Sequence, residues 1–446
     1  MTVGTSTVPA SATIGRVTTA LLTDRYELTM LGSALRDGTA QRRCVFEVFA
    51  RRLPEGRRYG IVGGTGRLLD AIAEFTFDAD MLTALRAADV IDDRTADYLA
   101  GYRFGGDLDG YPEGELYFPY SPVLTVSASF GEAVALETLV LSILNHDSAV
   151  AAAAARMVCA AGDRPLVEMG SRRTHERAAV AAARAAYLAG FASTSNLEAG
   201  HSHGVPTAGT AAHAFTLLHD DERAAFTAQV STLGAGTTLL VDTYDITRGI
   251  DMAVEVAGTS LGAVRIDSGD LAVLARQARE QLDRLGATST RIIVSGDLDE
   301  YAIAALAAAP VDLYGAGTAV VTGSGAPTAG MVYKLVDVDG RPVAKRSEHK
   351  MSHGGRKTAL RAHKATGTAV EEVVVARANA EPGEGQRLLQ RALLRDGKPV
   401  TDIPTLEQSR QHLRQAMVTL PWDGLKLSRG EPAIPTRLVP ADGKSW

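Results

Sequence analysis

The chain has 446 residues, 46% of them apolar and 22% charged, an ordinary globular composition long enough for two domains or one large barrel with additions. A net charge of −6 and a pI near 6.0 give no global basic field, which excludes nucleic acid and an anionic membrane surface as general partners. Cys44 and Cys159 form neither a CxxC pair nor a disulfide framework, which points to a reducing compartment.

In chain order, residues 1–19 are Ser/Thr-rich without an apolar run and read as a flexible tail, not a signal peptide. "LLTDRYELTMLGSALRDG" (21–38) opens on Thr23-Asp24, closes on Gly38 and sets Leu28, Leu31 and Leu35 at helical spacing. "CVFEVFARRL" (44–53) alternates like a strand, and "GELYFPYSPVLTVSASF" (114–130) is strand-like with two prolines. Residues 131–162, rich in Ala and Leu, read as one long or broken helix. The apolar stretches around 133–144 and 149–155 are separated by Asn145-His146-Asp147 and are too short to span a bilayer. A soluble cytoplasmic protein is expected.

Seven short apolar runs then end in polar or glycine clusters: 165–173, 188–196, 204–210, 238–245, 263–270, 291–299 and 311–318. Most are followed by helical stretches at the spacing of a βα unit. This predicts an α/β protein with an irregular (β/α) barrel whose polar strand ends converge at one mouth. "MVYKLVDVDGRPVAKRS" (331–347) predicts a hairpin around Asp339-Gly340, and 347–367 predicts a polar loop. The expected parse is a tail at 1–19, an α+β domain at 20–140, the barrel at 141–335 and a C-terminal region at 336–446. That region packs on the N-terminal domain, so both ends of the chain build a second, strand-rich α+β domain.

Chemistry-bearing residues gather at the expected strand ends. His213 follows Gly209-Thr210 among alanines that leave room for a substrate. The N–H groups of a Gly-Thr turn opening a helix can hold phosphate, and a neutral imidazole there is a nucleophile if a carboxylate such as Asp242 orients its other nitrogen. Ser-Gly-Asp occurs twice, at Ser268-Gly269-Asp270 and Ser295-Gly296-Asp297, offering close backbone approach, a hydroxyl, and a carboxylate for ribose or Mg²⁺. "YGAGT" (314–318), with Gly317 and Thr318, resembles a phosphate cradle. Arg172, Arg173 and Arg265 are placed to pair with phosphate or carboxylate. His201/His203 and His349/His353 lack a second ligand cluster, which disfavours zinc. P-loop and Rossmann signatures are missing. No lysine precedes Lys334, which disfavours a Schiff-base aldolase.

"LLTDRYELTM", "FEVFARRLP", "EGELYFPYSPVLTV", "LETLVLSILNH", "GTAAHAF", "VDTYD", "RIDSGDL" and "YGAGT", in that order, together resemble nicotinate phosphoribosyltransferase. The resemblance runs from about residue 20 to 335, more weakly to the end. It implies reaction of nicotinate with phosphoribosyl pyrophosphate to give nicotinate mononucleotide and pyrophosphate, an entry step to NAD. It also implies ATP as co-substrate, with His213 as the phosphohistidine. Tyr26, Thr210 and Arg265 match nicotinate contacts, and Thr318 matches a phosphoribosyl pyrophosphate contact. Arg172, Asp267, Ser268, Gly269, Asp270, Gly296, Asp297 and Gly317 are the further candidates for that substrate. Asp267, Asp270 and Asp297 are also candidates to stabilise an oxocarbenium-like ribose, with Mg²⁺ screening the phosphates. The family's homodimers share active sites, the residue matching Tyr26 reaching into the partner's. A nicotinamide-specific relative and a non-catalytic sensor of NAD precursors are the competing readings; the sensor would have lost His213 or a Ser-Gly-Asp.

Overall fold

A computed structural model describes residues 18–345, 353–400 and 403–440. The expected tail lies, up to residue 17, outside the described residues, as do residues 346–352 of the expected loop. The first helix is Arg25–Asp37, stopped by Gly38 at φ +84°. Asp24 is its N-cap by backbone only; Thr23 and Glu27 bond through their side chains instead.

Six strands, Leu166–Glu168, Ser193–Thr194, Thr238–Leu240, Ala263–Ile266, Arg291–Gly296 and Leu313–Ala316, make a parallel sheet. Their spatial order is 193–194, 166–168, 313–316, 291–296, 263–266, 238–240. Ile292, Val294, Val264 and Ile266 have no exposed surface, as expected of strands covered on both faces. Register places Ser295 beside Gly315 and Glu168 beside Ala316, so the polar run-ends line one edge of the sheet.

The seventh run, 204–210, is not a strand. It touches the sheet through one bridge, Thr194 to Thr207, with bonds from Thr194 N–H to Pro206 O (2.9 Å) and from Ala208 N–H to Thr194 O (2.9 Å). Pro206 has no N–H to extend the ladder. The hydrogen-bonded sheet therefore ends at 193–194 on one side and 238–240 on the other.

The 131–162 stretch is a broken helix, Phe130–Val134 followed by Glu137–Ala161. The second piece is long and apolar enough to cross a bilayer, but 72% of that window is buried inside the protein. Its alanines, Ala149 through Ala155, are all buried and let the helix Glu176–Ala189 pack closely.

A seven-stranded antiparallel sheet carries the other core. Its order is 341–342, 331–338, 43–50, 124–129, 107–110, 391–395, 398–399. Strands from both ends of the chain therefore share it. The hairpin expected at 331–347 is present, turning on Asp339 and Gly340, both at positive φ. The "EGELYFPY" stretch yields only Leu116–Tyr117 before Leu124–Ser129 begins.

The expected loop at 347–367 is corrected over its second half, where Thr358–His363 is a strand of a four-stranded sheet ordered 386–388, 358–363, 369–375, 436–439. Polar composition concealed it because its charges are paired internally. Arg361, fully buried, donates to Glu115 (2.6 Å) and Glu372 (2.7 Å), and Lys357 reaches Glu47 at 2.7 Å.

Candidate active site

The carboxyl ends of four parallel strands, with the segment leading to the helix His213–Leu218, bring most of the candidate residues together. Asp242, just past the 238–240 strand, is turned inward, with its side chain 1% exposed. Its Oδ2 accepts from the Asp267 backbone N–H (2.8 Å) and the Ser268 hydroxyl (2.9 Å). Its Oδ1, buried and without a hydrogen bond, faces His213 Nε2 at 3.8 Å. The other ring nitrogen, Nδ1, lies 3.1 Å from Thr243 Oγ1. The imidazole is thus oriented by a carboxylate that the next strand end holds in place.

Arg265, at the end of its strand, donates to Thr210 Oγ1 at 2.7 Å, while its Nε is buried without a partner. Burial lowers its pKa, opposed by Asp267 and Asp242 and reinforced by the like charge of Arg172. Two guanidiniums in electrostatic reach, one with an orphan donor, favour a bound anion.

Asp267 is held in turn by the Ser295 hydroxyl. At Gly296, φ +130° strains any side chain, and a Cβ would press on Asp267 O at 3.1 Å. Across the sheet, the turn after Glu168 meets the loop after Ala316. A Cβ on Gly170 would lie 2.3 Å from Val321 Cγ1 and 2.8 Å from Gly317 O. This contact sets the short turn Ser171–Arg173, which carries Arg172, against Gly317 and Thr318. Gly170→Ala is expected to displace that turn and weaken binding of a phosphorylated substrate at least tenfold; unchanged binding in an otherwise folded variant would show that the turn is not part of the site.

Some placements differ from the sequence expectation. Gly209-Thr210 does not open a helix: His213 is itself the first helical residue, after the N-cap Ala212. Asp270 caps the helix Leu271–Arg284 by accepting from Val273 N–H at 3.1 Å, so its carboxylate is already engaged. Gly269 turns the chain at φ +88°, and Asp297 is exposed. Tyr26 stands apart on the first helix, 46% exposed. Burial, followed by the charges of Glu137, Glu27 and Asp24, pushes its hydroxyl up to about 12. Among the described residues no hydrogen bond or ion pair links it to the His213 cluster. His201 and His203 lie on the helix Leu197–His203; His349 is outside the described residues.

Sequence reasoning passed over Thr243, Ser295's hold on Asp267, and Glu168. Thr243 stands inside the quoted "VDTYD". Glu168 carries a weaker signal, a carboxylate closing an apolar run.

An oriented histidine, a carboxylate relay and paired guanidiniums at the carboxyl edge of a parallel sheet define the class: an α/β enzyme acting on a small anionic substrate. Comparison with known proteins gives the particular family. A model of the nicotinate phosphoribosyltransferase N-terminal domain matches residues 21–145. The chain is 65% identical over 431 residues to nicotinate phosphoribosyltransferase pncB1 of Mycobacterium tuberculosis, covering 94% of this chain and 95% of that protein. It is 31% identical over 480 residues to the human nicotinate phosphoribosyltransferase, covering 87% and 89%. The crystal structure of human nicotinic acid phosphoribosyltransferase superimposes with a TM-score of 0.80 at 27% identity, covering 94% of this chain and 98% of that one. The chain belongs to the nicotinate phosphoribosyltransferase family.

Proposed function

We propose that this site joins nicotinate to phosphoribosyl pyrophosphate, releasing pyrophosphate and nicotinate mononucleotide, and that His213 couples the reaction to ATP hydrolysis. The chain is an enzyme of NAD biosynthesis by its family. The observation that carries the substrate reading is the half-buried Arg265 beside Thr210, whose buried Nε has no hydrogen-bond partner. A nicotinate carboxylate would supply the missing acceptor with a full opposite charge; the carboxamide oxygen of nicotinamide can accept, but without that charge.

In this reading the pyridine nitrogen attacks the anomeric carbon as the bond to pyrophosphate breaks. Positive charge developing on the ribose is stabilised by Asp267 and Asp297, with Asp270 committed first to its helix cap. Arg172, Ser268, the Gly269 and Gly296 turns, Gly317 and Thr318 hold the phosphates. Among the described residues no three metal-ligating side chains converge, which suits Mg²⁺, an ion that keeps its waters and takes one or two carboxylates alongside substrate phosphates. The half-buried Asp267 and exposed Asp297 fit that donor set. Bound there, Mg²⁺ would screen the charge of the departing pyrophosphate.

The six-stranded parallel sheet is read as an irregular (β/α) barrel, open between 204–210 and 238–240. The parse is 20–140, 141–335 and 336–446, with both ends of the chain building the second domain; strands from both ends in the antiparallel sheet support that sharing, although strand 331–338 straddles the boundary at 335. A cytoplasmic location suits the free thiols.

A homodimer is proposed from two sets of exposed apolar side chains: Leu21, Leu22, Tyr26 and Met30 on and just before the first helix, and Leu217, Leu218 and Tyr244 on the helix that begins at His213 and beside Thr243. Docking the first against the second would bring Tyr26 over the partner's His213 cluster.

Two outcomes test these readings. Turnover of nicotinate should exceed that of nicotinamide at least tenfold in kcat/KM, as expected from a charge-assisted pair worth about 1.5–3 kcal/mol. Arg265→Ala should lower both the rate and the preference; equal kcat/KM for the two bases would favour the nicotinamide reading. For the dimer, Tyr26→Ala and His213→Ala chains, each inactive in ATP-coupled synthesis, should regain activity on mixing, because one site per heterodimer is intact. No recovery after demonstrated subunit exchange would place each site within one chain.

A further inference from the structure

Glu168 is buried, with 1% of its surface exposed, yet among the described residues no cation pairs with it: its partners are the Gly170 N–H at one carboxylate oxygen and the Thr194 hydroxyl, at 2.5 Å, at the other. Burial raises its pKa, and these two hydrogen bonds oppose the rise. A buried carboxylate with no ion pair is expensive to keep, and packing alone gives no reason to keep one at the end of a strand. Its position supplies the reason. It sits at the centre of three chain segments: the 193–194 and 313–316 strands pair with its own backbone on either side, and its side chain reaches forward to the turn that carries Arg172. The same turn is tied a second time, by Asn196 Nδ2 to Ser171 Oγ at 3.0 Å. Asn196 N–H in turn bonds Thr194 Oγ1 at 3.0 Å, so Glu168, Thr194, Asn196 and Ser171, through side chains and the backbone N–H groups of Asn196 and Gly170, form one hydrogen-bonded circuit behind the turn.

We infer that Glu168 is a positioning residue: it fixes the Gly170–Arg173 turn from behind, so that Arg172 is held against the Gly317–Thr318 loop before phosphoribosyl pyrophosphate arrives. The inference rests on the reading of Arg172 as a contact to that substrate. Glu168 does not touch the substrate; its effect passes through Arg172.

The test compares Glu168→Ala, Glu168→Gln, Arg172→Ala and the Glu168→Ala/Arg172→Ala double variant, with KM measured separately for phosphoribosyl pyrophosphate and nicotinate. Glutamine keeps one oxygen for the Gly170 N–H and offers its amide to Thr194 Oγ. Glu168→Ala is expected to raise the KM for phosphoribosyl pyrophosphate about tenfold or more while the KM for nicotinate stays within about twofold. Glu168→Gln is expected to restore most of that loss. The double variant is expected to be no worse than Arg172→Ala alone, because the two residues act as a unit. If Arg172→Ala leaves the KM for phosphoribosyl pyrophosphate unchanged, the reading of Arg172 fails and the inference falls with it. If Arg172→Ala raises it but Glu168→Ala does not, or if the two effects multiply, the reading of Arg172 stands and the positioning role is overturned. Should Glu168→Ala fail to fold, Glu168→Met, close to glutamate in volume but with no oxygen to accept from the Gly170 N–H or the Thr194 hydroxyl, takes its place, and a KM for phosphoribosyl pyrophosphate equal to wild type in that variant overturns the role.

Discussion

His213→Ala is expected to abolish ATP hydrolysis and the stimulation of synthesis by ATP, while leaving a slow, ATP-independent formation of the mononucleotide. The geometry explains why the two should separate. Nε2 faces the orphan Oδ1 of Asp242 at 3.8 Å, which favours the tautomer with its proton on Nε2 and the lone pair on Nδ1. In the proposed coupling Nδ1 would attack the γ-phosphorus of ATP, the bond to the β,γ-bridging oxygen would break, and ADP would depart. Asp242 would stabilise the imidazolium that results, and water would later release the phosphate. Thr243, 3.1 Å from Nδ1 in the resting arrangement, has to turn aside for the attack. Removing the imidazole deletes this cycle and nothing that binds nicotinate or phosphoribosyl pyrophosphate, since Arg265, Arg172 and the glycine turns are untouched. Acid-labile, base-stable label from γ-labelled ATP should appear on the wild type and be missing from the variant. Retention of that label, or of full ATP-stimulated turnover, would mean that another group accepts the phosphoryl.

Arg361→Met is expected to destabilise the fold by about 3–5 kcal/mol, the cost of leaving buried carboxylates without their cation. Arg361 has no exposed surface and bridges Glu115 and Glu372. Burial by itself would raise the pKa of Glu115, but Arg361, His412 and Arg387 more than offset it and hold the carboxyl well below the usual carboxylate range. The folded pKa is therefore depressed, so the contribution of Glu115 is present above its unfolded pKa and is lost as pH falls through the folded value. In the variant that contribution shrinks, and the acid side of the stability profile should flatten. Adding Glu372→Gln to Arg361→Met should recover part of the loss by removing one uncompensated charge. Denaturant unfolding followed at several pH values measures both effects; a loss below about 1 kcal/mol would show that the pair is no better than a surface bridge.

The parts legible in the sequence are those governed by local pattern. Apolar runs closing on polar or glycine clusters identified six parallel strands, and the recurrence of Ser-Gly-Asp marked two adjacent strand ends that meet through Asp267 and Ser295. The pairing of His213 with Asp242, 29 positions apart, followed from treating strand ends as neighbours. What failed depended on partners remote in the chain. "GVPTAGT" has a strand's composition, but a sheet edge offers it only Thr194. Residues 358–363 look like a solvated loop until Glu115 and Glu372 are found to neutralise Arg361. Asp270 reads as a ligand in sequence and serves as a helix cap in space. Glu168 drew no notice because its partners, Gly170 and Thr194, are a backbone donor and a hydroxyl, neither of which announces a charge.

The antiparallel sheet has a consequence for how the molecule is made. Its first three strands, 43–50, 107–110 and 124–129, leave the ribosome early, whereas their outer neighbours, 331–338 and 391–395, come roughly 200 residues or more after the third. At bacterial or eukaryotic elongation speeds of roughly 5–20 residues per second, the nascent chain carries two open strand edges for roughly 10–40 seconds before either can be covered. The parallel sheet, encoded in one continuous block between them, can assemble during that wait. Synthesis that halts inside that block would leave a product whose leading third keeps two uncovered strand edges, and such fragments should be recovered bound to chaperones or in aggregates, not as a smaller soluble protein.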